Sequence, residues 1–599
     1  MQFSTFSQYL EQLENTPSRL EMTELLAKVY TELKTEELVP ASYLMCGKLV
    51  PKYQSLEFSL STKMIIRILS RLMFEYDNSL DNESLNLFNK VDETAITTKV
   101  WKIYKELGDL GATTVRVFET IKLNVKSAKS IDLNAIFQIL KDIALDGGTG
   151  SQERKLLATV DLLKQVDRIS AKFIVRIIMG RLRLGFSTMT MIDALSWAMS
   201  GDKSLSKKLE SAYQKRADIG LLAKDVLSLK DVSKLDEYLK SVSIEIGIPT
   251  GLALCQRLNS SQEILEKMEV VLAEPKYDGL RVQLHFDKKT NNGQKKYWAF
   301  TRNLDNVTHM FPELERIVSS LNCQECVIDS EAICINQETG EFLTFQETIK
   351  RKRKHGVDEM ALKMPISFFV FDIMSIDGKS LLDTPLEKRK EILANLFENN
   401  SVIKRVSYIK TTDAKELKEY HEEQLKKGLE GAVMKKIDSL YRSGRKGWRW
   451  VKIKEEEGMS GKLKDTLDLV VMGYYSGRGK RSEFGIGALL VGILKDEKIL
   501  TVAKIGTGLS DEMLKDIKKK CDAFKVSKKP SNYEVHKNLK PDAWIEPNIV
   551  LEIAADEITK SPTHSAGFAL RFPRLLRIRT DKNWDQATTL EEMEKIKGS

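Results

Sequence analysis

Cysteine is scarce in this chain. The 599 residues include only Cys46, Cys255, Cys323, Cys326, Cys334 and Cys521. That is too few for a disulfide scaffold and points to a reducing compartment. Cys323-Gln324-Glu325-Cys326 has zinc-knuckle spacing, but no second pair of cysteines or histidines follows it. Small apolar thiols on a half-buried strand are the better reading. Long hydrophobic runs are missing too; none approaches the roughly 18 apolar residues of a membrane span. The N-terminus is polar, and acidic from residue 9 onward, without the basic start and apolar centre of a signal peptide. These absences lead to the expectation of a cytoplasmic protein (nuclear in a eukaryote) with no membrane partner. Gly and Pro number only 33 and 13, which excludes collagen-like and low-complexity chains.

What is present is ordinary globular material. Hydrophobic residues make up 42% and charged residues 30%, enough to bury large cores. At about 150 residues per domain the length predicts three or four domains. The 94 basic and 85 acidic residues leave a net charge of +9. This is mild for so long a chain, and its distribution matters more than its sum.

Residues 1 to 235 read as helical, with proline nearly absent. Phe173, Ile174, Ile177 and Ile178 form one helical stripe, and Lys155–Leu163 behaves similarly. Near Gly247, Pro249 and Gly251 the texture changes, which predicts a linker. Beyond it apolar residues alternate. Val282, Leu284 and Phe286 share one face of a strand, and Asn292-Gly293 predicts a hairpin turn before Tyr297–Thr301. Further strands are expected at 326–335, 366–373 and 431–437. The polar stretch 455–462 predicts a second hinge. After it come strands at 467–475, 487–494 and 499–505, then a helix capped by Ser510. The expected fold is therefore multidomain: an all-α domain over 1–235, an α+β body over 236–455 and a β-barrel with an inserted helix over 456–599.

The segment Glu274-Pro275-Lys276-Tyr277-Asp278-Gly279-Leu280-Arg281 is the most informative. Alone, Lys-x-Asp-Gly is a weak pattern that a charged hairpin edge would also give. Its other reading is a nucleophilic lysine between strands, with Gly279 permitting a close turn and Arg281 gripping a phosphate or sugar. Its companions, in order, are Arg302 after a strand and Asp329 with Glu331 at the end of another. Next come Phe371 between Val370 and Asp372, Glu430 before a strand that carries Lys435, and Lys452 and Lys454 on one side of a strand. Last is a basic cluster running from Arg571 and Arg574 to Arg577, Arg579, Asp581 and Lys582.

These segments resemble the nucleotidyltransferase motifs of ATP-dependent DNA ligases, in order and with fitting spacings, and are most similar to the archaeal and eukaryotic replicative type. The resemblance extends to Gly180-Arg181-Leu182-Arg183-Leu184-Gly185 and to the glycine loop 147–152 of the helical region. It implies a helical DNA-binding domain, an adenylation domain and an OB-fold domain. It implies that Lys276 attacks the α-phosphate of ATP, and that AMP passes to the 5′-phosphate at a nick. The 3′-hydroxyl then seals the strand. Free lysine has a pKa near ~10.4, so the amine needs neighbouring cations to be neutral often enough.

The resemblance further implies that Glu274 reads the adenine amino group and Phe371 stacks on the ring. Arg281 and Arg302 meet phosphate or sugar, and Glu331 holds ribose or, with Glu430, Mg²⁺ (or Mn²⁺). Lys452 and Lys454 neutralise phosphate charge. Many relatives carry Arg where this chain has Lys446, so either Arg445 or Lys446 contacts the nucleotide. Arg571, Arg574, Arg577, Asp581 and Lys582 form a lid over the leaving pyrophosphate. Gly148, Gly150, Ser151, Arg181 and Arg183 bind duplex phosphates, Thr149 and Gln152 having capping-box form. A sliding clamp is a partner by family analogy alone, and a monomer is expected.

Blander readings stand beside these. Asp329 fits a solvated strand end and Phe371 fits plain core. Asp372 is more structural than catalytic. Lys350–Lys354 fits either a solvated basic face or a phosphate contact. The glycine loop fits an ordinary interhelical connection, and Gly477–Arg481 a basic turn along a phosphate backbone. An RNA ligase or capping guanylyltransferase would share Lys276-x-Asp-Gly and the barrel, but not the helical region.

Overall fold

The computed structural model describes residues 1–80, 93–121, 131–229, 231–288, 296–336, 339–343, 345–351, 357–453, 466–477, 481, 483–506 and 509–598. The predicted turn at Asn292-Gly293, the hinge at 455–462 and Lys454 lie outside these residues. The chain divides into two compact units. One groups Met1–Ile68 with Leu123–Gly458, and the other groups Leu69–Lys122 with Met459–Ser599.

The first unit begins with helices, several of which have their starts set by side-chain caps. Asp132 accepts from the amide of Ala135, Asp167 from Ile169 and Ser170, and Asp218 from Leu221. Helix Arg168–Ile178 departs from the predicted single stripe. Every residue from Ser170 to Ile178 is buried, including Lys172 and Arg176. The two cations survive there because Lys172 pairs with Glu11 at 2.6 Å and Arg176 with Glu14 at 2.9 Å. A stripe was legible; that acids on a remote helix allow the polar side to be buried was not.

Two sheets follow. The first runs Gln256–Arg257, Trp450–Ile453, Ala432–Lys436, Val271–Pro275, Ile409–Thr411. The second runs Lys296–Thr301, Leu280–Asp287, Glu325–Cys334, Ile366–Ile376, Lys379–Ser380, with Ile403–Arg405 added in parallel to Ile366–Ile376. Val282, Leu284 and Phe286 enter one hydrophobic core, together with Cys323 and Cys326. The opposite face of the same strand is also buried. Gly247 donates its amide to His285 Nδ1 at 3.1 Å, and Thr250 to Gln283 Oε1 at 2.7 Å. The predicted linker is thus a strap packed over a polar strand face. Burial pushes His285 down to about 3, so it remains a neutral hydrogen-bonding partner.

Arg351 corrects another expectation. Its side chain is buried and held by Glu313 at 2.8 and 3.2 Å, so it belongs to neither a solvated face nor a phosphate contact. The side chains of Lys350 and residues 352–354 lie outside the described set.

The C-terminal part of the second unit is strand-rich. Leu467–Tyr475, Ala488–Lys495 and Lys498–Ile505 form an antiparallel meander. Leu467–Tyr475 also pairs with Val550–Ala554, which pairs with Arg574–Ile578. Helix Asp511–Ala523 starts at Ser510, whose hydroxyl accepts from the Met513 amide, and sends Leu514, Ile517 and Cys521 into the core. Of the basic turn 477–481 only the ends are described. Arg481 donates to the Gly487 carbonyl at 3.0 Å, a structural use of its charge. Among the described residues no helix is long and apolar enough to cross a membrane.

Candidate active site

Lys276 sits where one sheet hands the chain to the other, between strands Val271–Pro275 and Leu280–Asp287. Its amide donates to the Gly431 carbonyl at 2.9 Å, and the Glu430 amide donates back to the Lys276 carbonyl at 3.0 Å. This reciprocal pair ties two sequence-distant motifs together at the backbone. The side chains follow, with the Lys276 ammonium ion-paired to Glu430. Gly279 is required by close approach: a Cβ there would lie 2.7 Å from the Ala332 carbonyl and 2.9 Å from Glu331 Cγ. The missing side chain lets the lysine turn rest against the strand that carries Glu331.

Lys276, Glu274, Arg281, Arg302, Glu331, Phe371, Arg445 and Lys452 line one cavity of about 680 Å³, a size that suits a small molecule. Glu430 stands beside it, through its pair with Lys276. Register places Glu331 opposite Arg281. Removal from water pushes the Glu331 carboxyl up to about 7, against the pull of Lys276 and Arg281. Arg445 faces the cavity while Lys446 turns away to pair with Glu210 at 2.9 Å. Of the two candidates that the sequence left open, Arg445 is the one that lines the cavity.

Several side chains are engaged differently from the sequence reading. Arg281 lines the cavity, but its guanidinium is committed to Asp329 through bonds of 3.0 and 2.6 Å and to the Ala253 carbonyl at 2.7 Å. Asp329 is fully buried and also accepts from the Tyr441 hydroxyl at 2.8 Å, so it is no solvated strand end. Its charge holds Arg281 firmly protonated. Phe371 is half-buried at the cavity wall, not plain core, with Trp450 edge-on at 6.0 Å. Asp372 is structural, clamped by the buried Arg389 at 2.7 and 3.0 Å.

Sequence reasoning missed the partners of Glu274. Its buried carboxylate is held by Lys390 on one oxygen and by Lys435 on the other, the latter at 2.7 Å. Lys435 had been noted only as a lysine within a strand. A buried carboxylate that must have a cation partner was the available signal; which lysine supplies it depends on the fold.

The two remaining groups lie elsewhere. At the glycine loop, helix Ser151–Lys164 is capped by Gly150 without a side-chain bond, so the capping-box reading of Thr149 is overturned. The loop is instead pinned by Arg154, which donates to Asp146 at 3.0 and 2.6 Å and to the carbonyls of Thr149 and Gly147 at 2.9 and 3.0 Å. Gly148 is exposed and Ser151 half-buried. Helix Arg168–Ile178 ends well before Gly185, leaving Arg181 exposed and Arg183 half-buried in the following loop. In the C-terminal unit, Arg571 pairs with Glu557, Arg574 with Asp556 and Arg577 with Glu552. Lys582 pairs with Asp468, while Arg579 joins Asp468 to Asp581.

Residues 252–454 match the ATP dependent DNA ligase domain, 2–196 the DNA ligase N terminus and 482–582 the ATP dependent DNA ligase C terminal region. A probable DNA ligase of Dictyoglomus turgidum is 37% identical over 99% of this chain and 97% of its own. The chain belongs to the ATP-dependent DNA ligases. The DNA ligase of Saccharolobus solfataricus is 33% identical over 99% of this chain and 96% of its own. A solved chain described as Pmar-Lig_Pre shares the fold, with a TM-score of 0.52 and 16% identity over 96% of this chain and 99% of its own. This ligase is therefore an enzyme that uses ATP and a divalent metal to seal nicks in DNA through an adenylate intermediate. Its architecture is a helical N-terminal region, an adenylation domain and a strand-rich C-terminal region.

Proposed function

We propose that Lys276 is the nucleophile that carries AMP and that the cavity around it holds the adenosine and α-phosphate of ATP. The observation that supports this is convergence. Glu274, Phe371 and Lys452, from three separate strands, line the same cavity as Lys276. Lys276 gives up a proton to water, leaves its pair with Glu430 and attacks the α-phosphorus. An N–P bond forms, the P–O bond to pyrophosphate breaks, and pyrophosphate departs with the electron pair. Lys452 and Arg445 stabilise charge on the phosphate oxygens, and Lys454, outside the described residues, is given the same role by the family resemblance. Phe371 stacks on the base, Glu274 accepts from its amino group, Glu331 and Arg302 meet the sugar, and Arg281 orients the wall through Asp329.

Glu331 and Glu430 fit a divalent cation. Glu331 is a carboxylate that burial penalises when charged and that a cation would relieve. The bound cation supplies positive charge to the phosphate oxygens. Magnesium keeps several waters, so two carboxylates suffice, and among the described residues no larger cluster of ligating side chains occurs.

Arg571, Arg574, Arg577, Asp581 and Lys582 act as the lid over the β- and γ-phosphates during self-adenylation and withdraw for sealing. Gly148 and Gly150 offer backbone amides, Ser151 its hydroxyl, and Arg181 and Arg183 charge, to phosphates of nicked duplex, as a sequence-indifferent enzyme needs. The domains run 1–235, 236–455 and 456–599, the last an OB-fold barrel. Mass spectrometry after incubation with ATP and Mg²⁺ tests the central claim. One AMP on Lys276 is expected, chased onto nicked duplex and released on sealing. No adduct, or an adduct on another lysine, overturns it.

A further inference from the structure

Two lysines outside the proposed chemistry converge on one carboxylate of the nucleotide cavity. Lys435, on strand Ala432–Lys436, is buried to 1% exposure. Its ammonium is 2.7 Å from Glu274 Oε2 and donates to the Phe371 carbonyl at 3.2 Å. It also lies 4.5 Å from the centre of the Phe371 ring and 4.2 Å from that of Trp450. Lys390, from helix Leu386–Ala394, holds Oε1 of the same Glu274 and sits 5.2 Å from the Tyr408 ring.

A buried ammonium is costly unless its surroundings repay it. Burial does pull Lys435 below its ordinary range, while Glu274 and Asp372 pull the other way. The cluster comprises Glu274 and Asp372 against Lys390, Lys435 and Arg389, so it carries one excess positive charge. Two aromatic rings beside Lys435 offset part of that excess. An apolar side chain at this position would leave one oxygen of the buried Glu274 carboxylate without its cation. A buried cation that touches both Glu274 and Phe371 does more than fill a core: it fixes two groups relative to each other.

Resting on the reading of this cavity as the ATP site, we infer that Lys435 is a positioning residue for nucleobase selection, with Lys390 as its second clamp. Lys435 joins the base acceptor, Glu274, to the base-stacking residue, Phe371, through one ammonium. With a lysine on each oxygen the Glu274 carboxylate cannot rotate. Its remaining lone pairs point in set directions and accept an exocyclic amino N–H of the base. Selection for a 6-amino purine thus depends on a charge that does not itself touch the base. A freely rotating carboxylate would accept from donors at other ring positions and discriminate less.

The test is single-turnover self-adenylation of the full chain with ATP and with purine riboside triphosphate, which lacks the 6-amino group. Half-saturating concentration and maximal rate are read separately. In Lys435→Met the expected result is a higher half-saturating ATP concentration with a smaller change in maximal rate. The preference for ATP over the 6-H analogue should fall about tenfold, the worth of one charge-assisted hydrogen bond. Lys435→Arg should restore most of the preference, and Lys390→Met should lose part of it. If Lys435→Met fails to fold, Lys390→Met and Lys435→Arg decide the matter in the same assay. An unchanged preference in the folded methionine variants overturns the inference, as does a loss of rate with no change in preference. If wild type forms no adduct on Lys276, it is the cavity assignment that fails instead.

Discussion

The charges around Lys276 and those on the proposed lid are both arranged as ion pairs, but in opposite environments. Around the cavity, Asp372–Arg389 and Glu274–Lys435 are buried pairs and Asp329–Arg281 joins a buried carboxylate to a half-buried guanidinium. On the lid, Arg574 and Arg577 are 54% and 64% exposed while paired with Asp556 and Glu552. A buried pair is costly to open because a desolvated charge is left behind. An exposed pair contributes little and trades readily for a better partner such as phosphate. The difference matches the two jobs proposed. The cavity holds groups still through three successive phosphoryl transfers, whereas the lid must change partners between them.

The largest way to break this comparison is Lys276→Ala. It should abolish AMP labelling while duplex binding survives in a gel-shift assay, and residual labelling at the wild-type level would end the assignment. The lid side comes next. Arg571→Ala with Arg574→Ala should slow self-adenylation by about a hundredfold or more, since each lost charge-assisted contact to phosphate is worth roughly 1.5–3 kcal/mol. Sealing of pre-adenylated nicks should suffer much less, and equal losses in both assays would remove the lid from the mechanism.

The buried side predicts a stability effect instead. Arg389→Met strands Asp372 and should cost about 3–5 kcal/mol, read as a lower denaturant midpoint. Arg577→Ala, on the exposed side, should leave that midpoint nearly unchanged. A further effect on the buried side concerns Glu331, whose carboxyl is raised from 4.5 to about 7 in the folded chain. A raised carboxyl favours the folded state while protonated, so its contribution is full below pH 4.5 and is lost as pH rises through 7. Without metal, Glu331→Gln should therefore gain melting temperature over wild type between pH 4.5 and 8. Mg²⁺ should narrow the gap. A pH-independent difference would contradict the burial argument.

Legibility in the sequence followed locality. Strand Leu467–Tyr475 and the Ser510-capped helix could be read because periodicity and caps act within a few residues. Lys276, Glu331, Phe371, Glu430 and Lys452 were legible as an ordered set of short motifs. The packing of the linker at 247–250 was not legible because its glycines and proline speak only of turns. What it covers, Gln283 and His285, lies on a strand read only by its apolar face. The capping-box reading of Thr149 failed for a related reason: Arg154 offered the loop carbonyls and Asp146 a stronger bond.

The order of chemistry-bearing residues, the alternation of each strand and the class of reaction were all written along the chain, since each needs only neighbours or a recurring pattern. Partner choice was decided by tertiary structure. Glu274 meets Lys390 across 116 residues and Arg281 meets Asp329 across 48. Arg445 faces the cavity while Lys446 reaches Glu210. A charge removed from water must find its opposite wherever the fold brings one near, and that requirement leaves no mark on local spacing.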